Sequence, residues 1–285
     1  MAPISFEQLC LFHEMDREIF SCLVIHWAYN PSQSLLIMAL WLWLENIGYV
    51  SIISKLVGLH PTIINDVAQE AVSCLMCLEQ EECPIPDDGG LLRTTTVVER
   101  KISLQVFKQN RFTIIDGIKN VLNKTCSIIF NDILLQVLGK NCASRLLLPH
   151  PYRPIIVPGF PHPVFGEFNI PPTNFKVLDL TSFEIWTNTR LFDDVLDIDK
   201  TVFLTFSRGF PVTKGEVVYF FTNNFGVDSI KTIRMGNAKS SHQVMYAIMV
   251  LNYVETLDRI LNGGRIAKYW VNGKQLWARK YERRE

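Results

Sequence analysis

The 285-residue chain has no net charge at neutral pH, no long hydrophobic run and no common catalytic motif. Its most apolar stretch, LLIMALWLWL at residues 35–44, is ten residues long, whereas a membrane helix needs about 20. We therefore expect a buried helix there and no membrane partner. The N-terminal residues carry acids early and lack a charged-then-apolar layout, which predicts an intracellular protein, nuclear or cytoplasmic, without a secretory signal.

Enzyme signatures are absent as well. The sequence has no Walker loop, Rossmann glycine run, G-x-S-x-G or H-E-x-x-H, and its six histidines are scattered. The acidic run at residues 193–199 (DDVLDID) precedes a basic segment and is typical of a solvated turn. Cys74 and Cys77 form an isolated C-x-x-C without a second ligand pair, so we interpret them as core thiols rather than zinc ligands. These absences predict a non-enzymatic protein without a metal or another cofactor.

The zero net charge hides two parts of opposite sign. Residues 198–285 hold 14 Lys and Arg against 7 Asp and Glu, whereas residues 1–197 hold 14 against 21. A basic segment is the electrostatic pattern of a nucleic-acid-binding module, because nucleic acids present a row of phosphates. The C-terminal part is therefore the candidate RNA-binding region, and two solvated surfaces that merely differ in charge are the alternative.

The first part of the chain has helical periodicity. Asn30-Pro31 is typical of a helix start, with proline at the first helical position, and Gly48 is typical of a helix end. His60-Pro61 separates this helix from the next. We predict a domain at residues 1–145 that is an all-α helical bundle.

A proline-rich linker is predicted at residues 146–198. Eight of the fourteen prolines fall between Pro149 and Pro172, which excludes a helix and favours extended backbone. The same stretch carries phenylalanines and aliphatic residues that a solvated linker rarely holds. We therefore expect this linker to pack in a groove on one of the domains.

The C-terminal residues 199–285 follow the order strand–helix–strand–strand–helix–strand. Thr213 and Glu216 have the capping-box spacing at the start of the first helix. Asn272-Gly273 is typical of a two-residue type I′ hairpin turn. The pattern predicts an α+β domain, so the whole chain is predicted to be multi-domain.

This order of elements resembles the RNA-recognition motif (RRM), which stacks bases on aromatic residues of its central strands. The run VFL at residues 202–204 matches the first signature strand, and VMYAIMVL at residues 244–251 occupies the place of the second. The resemblance implies a ferredoxin-like fold, a four-stranded antiparallel sheet with two helices. It also implies that Phe203 and Tyr246 stack on bases. Alternation supports this register, because Ala247 then faces the core and Tyr246 faces outward.

Three positions depart from the family's signatures. Val244 replaces a Lys or Arg, Ile248 replaces the second aromatic residue, and Phe206 stands where Asn or Gly is usual. Two readings of the sheet therefore stay open. Either its outer face binds single-stranded RNA, or it is covered by the proline-rich linker or by a protein partner, in which case the chain is a regulatory scaffold.

The RNA reading predicts one set of contact residues on and around the outer face of the sheet. These are Phe203, Thr205, Arg208, Lys239, Tyr246, Ile248, Trp277, Arg279, Tyr281, Arg283 and Arg284. Over its full length the chain also resembles a plant-specific group of RRM-containing proteins, on segments such as MALWLWLE and NGKQLWARKY. That resemblance implies an N-terminal helical domain joined to an RRM. We predict an RNA-binding adaptor whose helical domain contacts protein partners.

Overall fold

The computed structural model describes residues 6–49, 51–80, 83–141, 155–170, 196–236 and 243–282. They belong to two compact units. The helical unit comprises Met1–Glu79, Pro84–Leu104 and Gly117–Leu191, and the sheet unit comprises Gln80–Cys83, Gln105–Asp116 and Phe192–Glu285. This division differs from the predicted domains chiefly at residues 105–116, which are helical in sequence pattern and yet group with the C-terminal sheet.

The helical part of the chain consists of α-helices joined by short turns and by two π-helical segments, Cys22–His26 and Leu122–Cys126. The α-helices are α1 Phe6–Phe12, α2 Glu14–Ser21, α3 Pro31–Asn46, α4 Ile52–Leu56, α5 Pro61–Glu79, α6 Leu92–Val98, α7 Leu104–Gln109, α8 Arg111–Val121, α9 Ser127–Ile129 and α10 Asn131–Asn141. The helical character of this region is as predicted.

Helix α3 is the central helix of the helical unit. Asn30 caps it, because its side-chain oxygen accepts a hydrogen bond from Ser32 N at 3.0 Å, and Pro31 occupies the first position. Every residue from Leu35 to Leu44 is buried, which confirms the predicted buried helix. Among the described residues, no single helix is long and apolar enough to cross a bilayer, although the bent pair Arg111–Ile129 with Asn131–Gly139 passes on length and composition.

The described part of the proline-rich segment, residues 155–170, belongs to the helical unit. Strand β1 (Ile155–Ile156) pairs with β2 (Asn169–Ile170) in an antiparallel ribbon. The side chains between them that are buried are Val157, Phe160, Phe165 and Phe168. Gly159 has a positive φ of 99° and lies directly against the Ser32 side chain, where an added Cβ would come within 2.2 Å of Ser32 Oγ. His162 Nε2 lies 3.5 Å from Glu79 Oε1.

The sheet unit contains one five-stranded antiparallel sheet. Its strands are β3 Thr201–Phe206, β4 Ile230–Met235, β5 Tyr246–Leu251, β6 Ile266–Val271 and β7 Lys274–Lys280. Their order across the sheet is β4-β5-β3-β7-β6. The predicted count of four strands was wrong. Asn272 and Gly273 both have positive φ, as a type I′ turn requires, and the alternation of side chains continues on either side of that turn. Both arms of the hairpin therefore join the sheet.

Helices α11 (Lys214–Phe225) and α12 (Val254–Leu261) cover one face of this sheet. The predicted capping box is present at the start of α11, between Thr213 and Glu216. The core lies between the sheet and these helices. It contains the strand residues Val202, Leu204, Ala247, Met249, Leu276 and Ala278 and the helix residues Val217, Phe221, Leu257 and Ile260, all fully buried.

Residues 105–116 are held in the sheet unit by a buried carboxylate of α12. Asp258 accepts hydrogen bonds from Phe112 N at 2.9 Å, from Thr113 N at 2.8 Å and from Thr113 Oγ1 at 2.6 Å. These amides lie in the first turn of α8, so Asp258 supplies that helix with an acceptor from a distant part of the sequence. Burial raises the pKa of Asp258 above its ordinary value, and the hydrogen bonds from Thr113 and Phe112 oppose that rise. Lys280 Nζ lies 4.9 Å from the centre of the Phe112 ring.

Candidate nucleic-acid interface

The outer face of the sheet is the face opposite α11 and α12. It carries the side chains that were predicted to point outward from the alternation of strand residues. Residues that pair directly across strands share a face, and Phe203 pairs with Ile248 on one side and with Arg279 on the other. Thr205 likewise pairs with Tyr246 and with Trp277. The structure thus brings together six of the predicted contact residues on this outer face.

Tyr246, Phe203 and Arg279 form a row across the central strands. Tyr246 lies against Gly236, where an added Cβ would come within 2.5 Å of the ring. The rings of Tyr246 and Phe203 are stacked, with centroids 5.5 Å apart and an interplanar angle of 20°. The guanidinium carbon of Arg279 lies 4.7 Å from the centre of the Phe203 ring. Both rings are therefore already in contact with neighbours in the chain, which the sequence did not indicate.

The hairpin extends the outer face by a fifth strand. Lys268 pairs with Trp277, and Trp270 pairs with Gln275, so β6 presents Lys268 and Trp270 on the same side as Trp277. Lys268 Nζ lies 4.9 Å from the centre of the Trp277 ring. Trp277 is 41% exposed and Trp270 is 67% exposed. Sequence reasoning missed Trp270, although counting back across the two-residue turn at Asn272-Gly273 gives this register.

The charged strand residues that the structure describes on the outer face are all of one sign. Arg234 pairs with Ile248 and so lies on the face that also carries Lys268 and Arg279. None of the five described strands contains an Asp or Glu residue. A surface with aromatic rings, cations and no strand carboxylate is suited to a ligand that combines π-faces with negative charge.

The other predicted contact residues lie at the edges of this face or outside the described residues. Arg208 is exposed in the turn that follows β3. Tyr281 follows β7, and its ring centroid lies 6.5 Å from that of Phe203. Lys239, Arg283 and Arg284 lie outside the described residues.

The acidic run that precedes the sheet contacts lysines of the same unit. Asp197 Oδ1 lies 2.9 Å from Lys231 Nζ, and this bond lowers the pKa of Asp197. Asp199 Oδ1 lies 3.4 Å from Lys280 Nζ. Within the described ranges, no group of three or more His, Cys, Asp or Glu side chains is placed to hold a metal ion.

Glu216 fixes the hairpin turn to helix α11. Lys274 Nζ lies 2.8 Å from Glu216 Oε1, Asn272 Nδ2 donates to the same oxygen at 3.1 Å, and Thr213 N donates to Oε2 at 2.8 Å. The bond from Lys274, followed by those from Thr213 and Asn272, lowers the pKa of Glu216 to about 2. Trp270 and Trp277 are therefore carried on strands whose connecting turn is anchored.

We expect Glu216→Gln to destabilise the sheet unit by up to about 1 kcal/mol at pH 6, the scale of a lost surface ion pair. Glutamine keeps an oxygen that accepts from Thr213 N, so the capping box remains. The folded-state pKa of Glu216, about 2, lies below its ordinary value of 4.5. Its contribution is therefore fully present above about pH 4.5 and is lost as the pH falls toward 2. Urea unfolding of both proteins at pH 6 and pH 3 should show a smaller difference at the lower pH. Glu282→Gln, at an exposed position, is the control, and an equal difference at both pH values would contradict this role.

Comparison of the chain with protein-family models, with curated proteins and with solved structures finds no match. The likeness to the RRM therefore rests on the signature residues and on the sheet described above.

Proposed function

We propose that this chain is a non-enzymatic RNA-binding adaptor whose sheet unit is an RRM that binds single-stranded RNA on its outer face. The observation that carries the proposal is the composition of that face. Aromatic rings share this face with Arg234, Lys268 and Arg279, and the five strands of the sheet contain no carboxylate. The strand and helix order is the one expected for an RRM, with one additional strand.

The chemistry of such a face follows from its side chains. Every base has a π-face, and stacking on an aromatic side chain is worth about 1–3 kcal/mol per base. Tyr246 and Trp277 expose 39% and 41% of their surface. Arg279 covers Phe203, and a planar guanidinium can itself stack on a base. A base at this position therefore stacks on the Arg279–Phe203 pair or takes the place of Arg279.

Salt dependence tests the phosphate contacts. Replacing Arg234, Lys268 or Arg279 with Gln should weaken binding of labelled oligouridine and flatten the slope of log affinity against log salt by about 0.7 per lost contact. Fluorescence anisotropy over a salt series measures both quantities. Lys214→Gln, at an exposed position at the start of α11, should leave the slope unchanged.

Crosslinking identifies the surface directly. Ultraviolet crosslinking to oligouridine should attach RNA to peptides that contain Phe203, Tyr246 or Trp277. Wild-type protein that binds no single-stranded RNA at low salt, or that crosslinks only through the helical unit, would refute the proposal.

One observation favours a second function, a scaffold whose sheet binds protein. Tyr246 lies between Gly236 and Phe203, and Arg279 covers Phe203, so intrachain contacts occupy ring faces that bases would need. This reading predicts no RNA binding at low salt. It also predicts that a co-purifying protein is lost in Trp277→Ala.

The adaptor proposal assigns protein contacts to the helical unit. Leu11, Phe12 and Met15 are large apolar side chains near its start, and all three are exposed. Neighbouring exposed apolar residues are typical of protein-binding surfaces. They support a protein partner for this unit.

A further inference from the structure

The fifth strand gives the outer face a second group of aromatic and cationic side chains that could bind a ligand. This group is separate from the Tyr246–Phe203–Arg279 row. We call Trp270, Lys268 and Trp277 the hairpin cluster. They come from β6 and β7, and the register places Lys268 opposite Trp277 and Trp270 diagonal to it. Diagonal neighbours in an antiparallel pair lie about 7–8 Å apart. The two indoles are thus separate surfaces on one face.

Within the hairpin cluster, Trp270 is more accessible than either ring of the central row. Trp270 is 67% exposed, the largest exposed fraction among the described aromatic residues of the strands. Phe203, by contrast, is partly buried and covered by Arg279. An indole that is mostly exposed has a ring face available to a ligand without displacing a side chain that the structure shows on it.

The hairpin cluster is also held in place. Glu216 binds Lys274 and Asn272 at the turn, and the ladder between β6 and β7 extends from Val271–Lys274 to Ile266–Arg279. Sites on paired strands are positioned more firmly than sites on loops. An exposed tryptophan at this position is therefore presented by rigid backbone.

The charge of the cluster selects its occupant. Lys268 lies over Trp277, Arg279 is the next outward residue on β7, and neither β6 nor β7 contains a carboxylate. A single RNA strand supplies both the bases that stack on indoles and the phosphates that pair with lysine. An acidic peptide would pair with the cations. Unlike RNA, however, it does not carry an aromatic ring in every repeating unit, so it would not supply a stacking partner for each indole.

We propose that the hairpin cluster is a second stacking subsite for single-stranded RNA, in which Trp270 and Trp277 each stack on a base and Lys268 contacts the intervening phosphate. This inference rests on the proposed function. It extends the RNA path from the central strands to the sheet edge formed by β6, and it makes Trp270 a binding residue.

Two oligouridines, of about four and about eight nucleotides, test the subsite by fluorescence anisotropy on the full chain. Trp270→Ala should weaken binding of the longer oligomer by roughly 5- to 150-fold, the loss expected for one stacked base. The shorter oligomer, which the central row and Trp277 can hold, should bind within about twofold of wild type. Trp270→Phe should restore most of the loss, because a phenyl ring also stacks.

Tyr219→Ala is the matched control. Tyr219 is 69% exposed, nearly the same fraction as Trp270, but it lies on α11, which covers the other face of the sheet. Its replacement should leave the affinity for both oligomers unchanged. Lys268→Gln should flatten the salt slope for the longer oligomer by about 0.7.

The outcomes separate the subsite from the proposed function. If the longer oligomer binds Trp270→Ala as tightly as wild type while Phe203→Ala/Tyr246→Ala loses binding, the RNA function stands and the subsite is overturned. If wild type binds neither oligomer at low salt, the proposed function fails and the subsite fails with it. Equal losses for Trp270→Ala and Tyr219→Ala would also overturn the subsite, because the effect would not be specific to this face.

Discussion

Phe203→Ala combined with Tyr246→Ala should weaken single-stranded RNA binding by about 2–5 kcal/mol, if each ring stacks on one base. The two rings lie on adjacent central strands with centroids 5.5 Å apart, so they are placed to contact neighbouring nucleotides. Anisotropy titrations with labelled oligouridine at low salt measure the change. Phe203→Tyr combined with Tyr246→Phe keeps both rings and should bind nearly as tightly as wild type.

The same double variant should also lose some stability. Phe203 stacks on Tyr246 and lies beneath Arg279, and an aromatic pair with a cation–π contact contributes about 1–2 kcal/mol in total. Urea unfolding at one temperature gives this value. A modest loss is therefore no argument against RNA binding. A loss above about 4 kcal/mol would be of the size that large core truncations cause, and together with absent RNA binding in wild type it would assign these rings to a structural role.

Arg279→Ala distinguishes two ways in which a base can contact the Arg279–Phe203 pair. Removing the guanidinium uncovers one side of Phe203 and deletes one cation. If a base takes the place of Arg279, the variant should keep most of its affinity at high salt and lose affinity at low salt. If the base stacks on the guanidinium itself, affinity should fall at all salt concentrations.

Local patterns predicted the orientation of the sheet residues correctly. In β5, Tyr246 points outward and Ala247 is buried, and in β7, Trp277 points outward and Leu276 is buried, because strand side chains alternate with a period of two. The Thr213–Glu216 capping box was also readable, since both partners lie within one turn of helix. Such features depend only on residues that are close in sequence.

Other features were not predicted from the sequence, and only some of them lacked a local pattern. The fifth strand was missed because the resemblance supplied a template with four strands, although the residues between Ile266 and Val271 alternate as a strand does. The position of Arg279 over Phe203 depends on side-chain rotamers, which a pattern does not specify. The contact of Asp258 with Thr113 joins residues 145 positions apart, and no short-range pattern marks either of them.

The Asp258 contact has the largest expected effect on folding. Asp258→Ala should destabilise the sheet unit by about 2–4 kcal/mol, because two backbone amides and one hydroxyl lose their acceptor in a buried place. The individual losses overlap, since all three donors bind one carboxylate. Urea unfolding measures the total, and hydrogen exchange followed by mass spectrometry measures the change at residues 105–116.

Variants of Thr113 test whether this effect comes from the hydrogen bonds. Thr113→Ser keeps the hydroxyl that donates to Asp258 and should remain within about 0.5 kcal/mol of wild type. Thr113→Val keeps the shape of the side chain and removes one donor, so it should cost about 1–2 kcal/mol. In Asp258→Ala the amides of residues 112 and 113 should exchange faster than in wild type, because the carboxylate that accepts from them is gone. If their exchange rates stay the same, Asp258 does not hold this segment, and the grouping of residues 105–116 with the sheet unit must depend on other contacts, such as that between Lys280 and the Phe112 ring.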